Sequence, residues 1–280
     1  MPNIKRDYLT LLLNQYWFAP PVALWRAIEL RVLAQEAFER PILDLGCGDG
    51  LIAQVLFAEE APIEVGFDPW LDQVIKAPTT GAYRETQQAL GAAMPYRDGG
   101  FATVFSNSVL EHIPDLEPVL KEAARVLRPG GRLILTVPSD AFRGLLGGYR
   151  ERMERGDAAG AEAYATGVDA WLAHERYPTP DEWAGMLRRV GLDLVHATYY
   201  VTPEVMSIWD RANKTYGVRS ESRAFYRLLA SPRLRRLGHQ AWVRRWAVQT
   251  LSTRWREAYE MDVPEGEVGG GLLVVGERSA

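Results

Sequence analysis

Nine consecutive residues, Ile42-Leu43-Asp44-Leu45-Gly46-Cys47-Gly48-Asp49-Gly50, constrain this chain more than any others. An apolar stretch running straight into three glycines within five positions reads as a buried strand that ends in a turn. Glycines there let backbone approach a ligand closely. In open α/β sheets such turns stand at the carboxyl ends of parallel strands, where ligands bind. The spacing Gly46-x-Gly48-x-Gly50 is one residue short of the dinucleotide pattern Gly-x-Gly-x-x-Gly, and the Gly-Lys-Ser/Thr of a phosphate loop is absent. Asp44 and Asp49 repel phosphates and favour a ligand carrying an ammonium or sulfonium charge. Asp68, 18 residues past Gly50, ends an expected second strand, where a carboxylate can accept from both hydroxyls of a ribose.

Periodicity predicts the elements around that turn. A helix is expected over Ala23 to Phe38, then strands over Pro41 to Leu45, Ile63 to Phe67, Phe101 to Ser106, Arg132 to Val137, Leu192 to Thr202 and Gly271 to Glu277. Helices are expected over Leu51 to Ala58, Leu116 to Leu127 and Asp181 to Val190. Arg128-Pro129-Gly130-Gly131 stops the second, and Thr179 with Pro180 opens the third. Met94 to Gly100 reads as a turn-rich loop. Strands alternating with helices argue for a doubly wound, mostly parallel sheet.

Two segments fall outside the alternation. Residues 140–178 separate a strand from its expected helix, and residues 203–264 separate the last two strands; both are rich in Trp, Tyr and Arg. In an open α/β sheet such insertions often build a helical cap over the ligand crevice. The expected division is a core of residues 1–202 and 265–280, with N-terminal helices in 1–40 and a cap in 140–178, plus a basic insertion over 203–264. From Arg211 to Arg256 there are 12 Lys or Arg against one acid, Glu221, although the whole chain has a net charge of −4. This separation suggests a distinct surface role. The readings are a solvated cap over an acceptor pocket, peripheral contact with an anionic membrane or lipid-linked acceptor, and nucleic-acid binding. The acidic remainder and the lack of an RNA-binding motif disfavour the last. The stripe Leu234, Leu237, Ala241, Val248 is broken by Arg244 and Arg245, so that helix is only partly amphipathic.

The single cysteine, Cys47, rules out a disulfide framework and a Cys-based zinc cluster. Met1 to Thr10 is polar and no apolar run reaches about 18 residues, so no signal peptide or membrane span is expected and a cytoplasmic location is the default.

Four stretches, LDLGCGDG (43–50), GFDPW (66–70), MPYRDGGFATVFSNSVLEHI (94–113) and LKEAARVLRPGGRLILTVPS (120–139), together resemble the class I S-adenosylmethionine-dependent methyltransferases of the methyltransferase domain 11 type. The resemblance implies a Rossmann-like, seven-stranded, mostly parallel sheet with an antiparallel last strand. By position it implies that Gly46, Cys47, Gly48 and Gly50 contact the amino-acid part of S-adenosylmethionine, and that Asp44 helps hold its ammonium. Asp68 would bind the ribose, Trp70 or Pro69 would flank the adenine, and Asn107 and Ser108 would line the methionine end. Four residues before Met94-Pro95 the family often carries an Asp that accepts from the adenine amino group. This chain has Leu90 there, so adenine recognition falls to backbone and apolar contact around Ala92, Ala93 and Met94.

The implied reaction is in-line methyl transfer to a small-molecule or lipid-like acceptor, giving S-adenosylhomocysteine. Such transfer needs positioning and exclusion of water. Oxygen or nitrogen acceptors often also need a base. His112 is the first candidate and His174 the second, against packing or solvated-loop roles for each. Glu111 is expected to cap or brace the following helix, and Cys47 to be a small buried residue rather than a nucleophile. Tyr16, Trp17 and Phe18 either close over the site or pack an N-terminal helix. The competing reading is a protein of this fold that binds through its basic lobe without catalysis.

Overall fold

The computed structural model describes residues 6–58, 60–216 and 238–279. The chain divides into two compact units, one of Leu33–Asp140, His174–Tyr199 and Gly271–Ala280, the other of Met1–Val32, Ala141–Ala173 and Tyr200–Gly270.

The first unit is built on a seven-stranded sheet. Its strands are β1 (Ile42–Leu45), β2 (Ile63–Asp68), β3 (Tyr83–Gln88), β4 (Phe101–Asn107), β5 (Leu127–Pro138), β6 (Leu192–Tyr200) and β7 (Gly271–Arg278), in the order β3-β2-β1-β4-β5-β7-β6. β1 to β5 pair in parallel, and β7 runs antiparallel to β5. All four residues of β1, Asp44 among them, are buried, as expected of a central parallel strand covered on both faces. Leu43 faces Val65 of β2 on one side and Val104 of β4 on the other. Chain order reverses between β1 and β4, so the turns after these two strands border the switch point where open α/β sheets bind ligands.

Three elements differ from the sequence expectation. β3 was invisible to periodicity because Tyr-Arg-Glu-Thr-Gln-Gln is polar; it is an edge strand on which Tyr83 is buried while its neighbours face outward. The early helix spans Pro20–Leu33 rather than starting at Ala23, and stops short of Phe38. Phe38 instead packs edge-on against Phe57 and Phe105 at 5.0 and 5.5 Å. β5 starts at Leu127, because Arg128 to Gly131 ends the helix Glu117–Val126 and continues as an irregular strand start, with a register shift against β4 between Phe101 and Thr103.

The helix Pro180–Arg189 shows how local sequence fixes packing. Thr179 and Glu182 form a reciprocal capping box, satisfying backbone donors at the helix start. Its inner face buries Trp183 and Leu187 in the core shared with β1, β4, β5 and β7. Gly276 in β7 makes room for it, since a Cβ there would stand 3.1 Å from Leu187 Cδ1.

The second unit is helical: Tyr8–Gln15, most of Pro20–Leu33, Phe142–Leu145, Gly147–Glu154, Ala158–Leu172, Pro203–Tyr216, His239–Arg254 and Arg256–Glu260. Trp25 packs against Phe142, Tyr200 and Trp209 with ring centroids 5.6 to 6.0 Å apart. The buried Asp210 carboxylate accepts from Gly148 N at 2.7 Å and from Tyr164 Oη at 2.5 Å. Asp7 and Arg256 pair at 2.7 Å. Tyr16 and Trp17 both lie against Phe18 within this unit. In His239–Arg254 the inward stripe is Ala247 and Leu251, continued by Trp255, not the expected one: Ala241 is exposed, Val248 half-buried, and Leu234 and Leu237 lie outside the described residues. Among the described residues no helix is long and apolar enough to cross a membrane.

Replacing Leu187 with Ala removes a fully buried side chain from the sheet core and is expected to cost about 2–5 kcal/mol. Urea unfolding followed by circular dichroism checks this; a change within experimental error would contradict the packing described.

Candidate active site

The glycine turn after β1 folds back over the end of β2. Gly46 N and Cys47 N both donate to Phe67 O at 2.9 Å, and Gly50 N donates to Cys47 O at 3.0 Å. Gly46, Gly48 and Gly50 have φ of 80°, 53° and 80°, in the left-handed region that side chains disfavour. Space separates their roles. A Cβ on Gly46 would lie 2.5 Å from Val109, and one on Gly50 would lie 2.9 Å from Tyr83, whereas Gly48 faces open space. The turn is tight at both ends and open in the middle, so a ligand can reach the Gly48 backbone.

Asp68 meets that opening from β2. Its Oδ2 accepts from Gly48 N at 3.1 Å and its Oδ1 from Trp70 N at 2.9 Å. One backbone donor on each oxygen fixes the carboxylate and leaves each oxygen with capacity for another donor.

Asp44 lies behind the turn. Tyr83 Oη donates to Asp44 Oδ2 at 2.7 Å, a contact between β3 and β1 that crosses β2. Gly66 of β2 makes the crossing possible, because a Cβ there would fall 2.6 Å from the Tyr83 ring. Burial pushes the Asp44 carboxyl from 3.8 up to about 7; the Tyr83 hydrogen bond opposes that rise and the Asp68 charge adds to it. Burial, then the charge of Asp44, push the Tyr83 phenol well above its ordinary value. Burial, followed by the charges of Asp44 and Asp68, also pushes the Cys47 thiol up, which suits a small buried residue rather than a nucleophile. Tyr83 was missed in the sequence for the same reason as β3; the trace it left was Gly66 in Gly-Phe-Asp-Pro-Trp.

The loop after β3 is pinned by one arginine. Arg125 donates to Met94 O, Tyr96 O and Asp98 Oδ1 at 2.9, 2.7 and 2.6 Å, and Glu122 accepts from Met94 N at 2.7 Å. Met94 is buried in the core and its N–H donates to Glu122, which leaves apolar contact as the part it can offer an adenine. Ala92 and Ala93 are exposed, as are Pro69 and Trp70, with Trp70 69% accessible. Leu90, also exposed, bridges to Ala93.

At the end of β4, Asn107 Nδ2 donates to Thr136 Oγ1 at 2.7 Å, and the next residue, Ser108, takes φ 50°. A non-glycine residue held there marks a turn constrained by its surroundings. The chain then makes a short turn over Leu110–His112. Glu111 does not cap the next helix, which has no side-chain cap. Glu111 is buried, and the segment after 173 returns against it: Glu175 N donates to Glu111 O at 2.8 Å and Arg176 donates to Pro114 O. His112 and His174 are thereby brought together, their ring centroids 5.4 Å apart. The His112 side chain is 43% exposed. Burial, aided by His112, lowers the His174 imidazole to about 3, so His174 is neutral at physiological pH.

Residues 43–135 match the family model described as "Methyltransferase domain". These residues form a class I S-adenosylmethionine-dependent methyltransferase domain. The chain is 33% identical over 147 residues to a 27-O-demethylrifamycin SV methyltransferase of Amycolatopsis mediterranei, covering 48% of this chain and 52% of the relative. It is 28% identical over 107 residues to a ubiquinone biosynthesis O-methyltransferase of Pectobacterium carotovorum, covering 37% and 45%. The chain thus spans about half the length of the curated relatives it matches. A methyltransferase structure from Thermotoga maritima, described as a possible histamine N-methyltransferase, superimposes with a TM-score of 0.56 at 17% identity, covering 96% of this chain and 93% of that one. At that identity the likeness concerns the fold.

The methyltransferase domain has groups that fit its cofactor. The open Gly48 backbone, a carboxylate with capacity for a diol, and a buried acid that a nearby cation would ionise are what an amino-acid sulfonium nucleoside needs.

Because the folded-state value of Asp44 is raised, its contribution to stability is full below about pH 4 and is lost as pH rises through about 7. The thermal midpoint of the cofactor-free protein is expected to fall from about pH 5 to about pH 8, and Asp44→Asn to flatten that fall. Wild type and variant falling in parallel would show that Asp44 does not titrate in this window.

Proposed function

We propose that this protein transfers a methyl group from S-adenosylmethionine to an oxygen of a small or lipid-like organic acceptor. The observation that carries the reading is Asp68, fixed by two backbone donors beside the open Gly48 backbone. In this reading Asp68 takes the ribose hydroxyls, and the turn Gly46 to Gly50 receives the amino-acid part. Asp44 supports the ammonium and releases its proton as the cation approaches. Trp70 and Pro69 lie beside the adenine, with the exposed Ala92 and Ala93 adding contact, and Asn107 and Ser108 line the methionine end. The cofactor supplies a methyl group on a sulfonium sulfur, which an acceptor lone pair attacks in line. The protein has then to orient the acceptor, exclude water and receive or disperse its proton. His112 and His174, after β4 and in the returning segment, are the groups proposed for that last task.

The choice of oxygen and of a small acceptor rests on the relatives, whose names describe an O-methyltransferase of ubiquinone biosynthesis and a methyltransferase of demethylrifamycin. Asp68→Ala is expected to weaken S-adenosylhomocysteine binding at least tenfold, about 1.4 kcal/mol. With methyl-labelled cofactor and a cell extract, label is expected in the organic-solvent phase with wild type and not with the variant. Label confined to precipitated macromolecules would contradict a small acceptor, and no label with unaltered cofactor binding would favour a non-catalytic binder.

A peripheral membrane contact is favoured by one observation: Trp242 and Trp246, 70% and 40% accessible, stand beside exposed Arg244 and Arg245 on the helix His239–Arg254. Aromatic and arginine side chains together suit an anionic interface. Co-sedimentation with phosphatidylserine vesicles is expected to fall as salt rises. Absence of binding at low salt would contradict it.

A further inference from the structure

Glu111, His112 and His174 offer one carboxylate oxygen and two ring nitrogens that all lie within 4.8 Å of one another. Glu111 Oε1 stands 3.8 Å from His112 Nε2. Two stretches of chain hold the three side chains in place. Residues 110–112 form a tight turn after β4, and the segment after 173 is clamped to it through Glu175 N to Glu111 O and Arg176 to Pro114 O. Tyr177 Oη, 3.0 Å from His174 Nδ1, fixes the orientation of that ring. A partner on one ring nitrogen is what orients a histidine for coordination through the other.

The donor set selects the kind of ion. Two imidazoles with one carboxylate suit borderline divalent transition ions; calcium and magnesium favour all-oxygen sites. Bonds of about 2.1 Å in a tetrahedral site put neighbouring ligand atoms about 3.4 Å apart. The donor pairs must therefore close by about 0.4 Å for Glu111 and His112 and by up to about 1.4 Å elsewhere, and the His112 side chain, 43% exposed, is the one least confined by packing. Glu111, buried at 2% exposure, gains from a cation beside it.

We propose that Glu111, His112 and His174 bind one divalent transition-metal ion of the zinc class, leaving a coordination position open for an oxygen of the methyl acceptor. Binding of the ion stands on the cluster alone; its use in catalysis rests on the methyl-transfer reading. A hydroxyl coordinated there loses its proton to solvent more readily, so the two imidazoles act on the acceptor proton through the ion instead of taking it themselves. The oxygen then forms its bond to the methyl carbon while the carbon–sulfur bond breaks and its electron pair stays on sulfur.

The test uses the full chain, freed of metal by a chelator and dialysed. Calorimetric titration with Zn2+ is expected to show one saturable site, weakened at least tenfold by His112→Ala and by His174→Ala. His196→Ala removes an imidazole that instead pairs with Glu36, and is expected to leave the site intact. Co2+ is expected to give visible absorption bands with wild type that His112→Ala abolishes; His112 is exposed enough for that variant to fold. No saturable Zn2+ uptake, or uptake that His112→Ala leaves unchanged, overturns the proposal. S-adenosylhomocysteine binding is measured on the same samples. If it persists without Zn2+ binding, the metal site alone falls; if it is missing while Zn2+ binds, the methyl-transfer reading falls and the metal site stands.

Discussion

The carboxyl of Asp44 is held out of water at the end of a buried strand, with the Tyr83 phenol donating to it and the Asp68 carboxylate near enough to raise its proton affinity. An acid in that position costs free energy as an anion and is relieved by a cation. Much of the surrounding architecture follows from it. Tyr83 can reach Asp44 only because residue 66 is glycine. The turn that closes over Asp44 needs left-handed backbone at Gly46, Gly48 and Gly50, and Val109 fills the space a side chain at 46 would take. Asp68 ties the middle of that turn to the end of β2. The site is thus preorganised for a ligand with a positive charge and a diol, and its own acids disfavour a bare phosphate.

The central part of this arrangement was legible in the sequence because it depends on residue types with narrow roles. Three glycines at that spacing and a carboxylate 18 residues on leave few alternatives, and the resemblance over 43–139 supplied the sheet. What escaped was carried by residues whose roles depend on partners distant in sequence. The strand Tyr83–Gln88 looks like a solvated loop until its tyrosine is placed on Asp44. Nothing in the sequence signals that Glu122 and Arg125 hold the Met94 backbone. The inward stripe of His239–Arg254 could not be phased from hydrophobicity, because Trp242 and Trp246 are exposed while Ala247 is buried. In each case tertiary packing overrode local pattern.

The turn after β4 shows the same dependence. In the sequence Glu111 reads as a helix cap or brace and His112 as the first candidate base, against a packing role. Their meaning changes once the returning segment delivers His174 and is stapled to Glu111 and Pro114 by backbone contacts. A neutral His174 beside a buried acid and a half-exposed imidazole is a group suited to handling a proton or an ion, set after the same strand that carries Asn107 and Ser108. The carboxyl ends of the parallel strands β1 and β4 thus carry, after β1, the acids suited to a cationic cofactor and, after β4, the imidazoles suited to an acceptor.

The most direct measurement of the central claim is the proton balance of S-adenosylmethionine binding near pH 7, from calorimetric titrations in two buffers of different ionisation enthalpy. A buried Asp44 that ionises as the cation arrives predicts saturable binding with release of a fraction of a proton, and loss of that release in Asp44→Asn. Binding with no proton released, or no saturable binding in either buffer, would contradict the account.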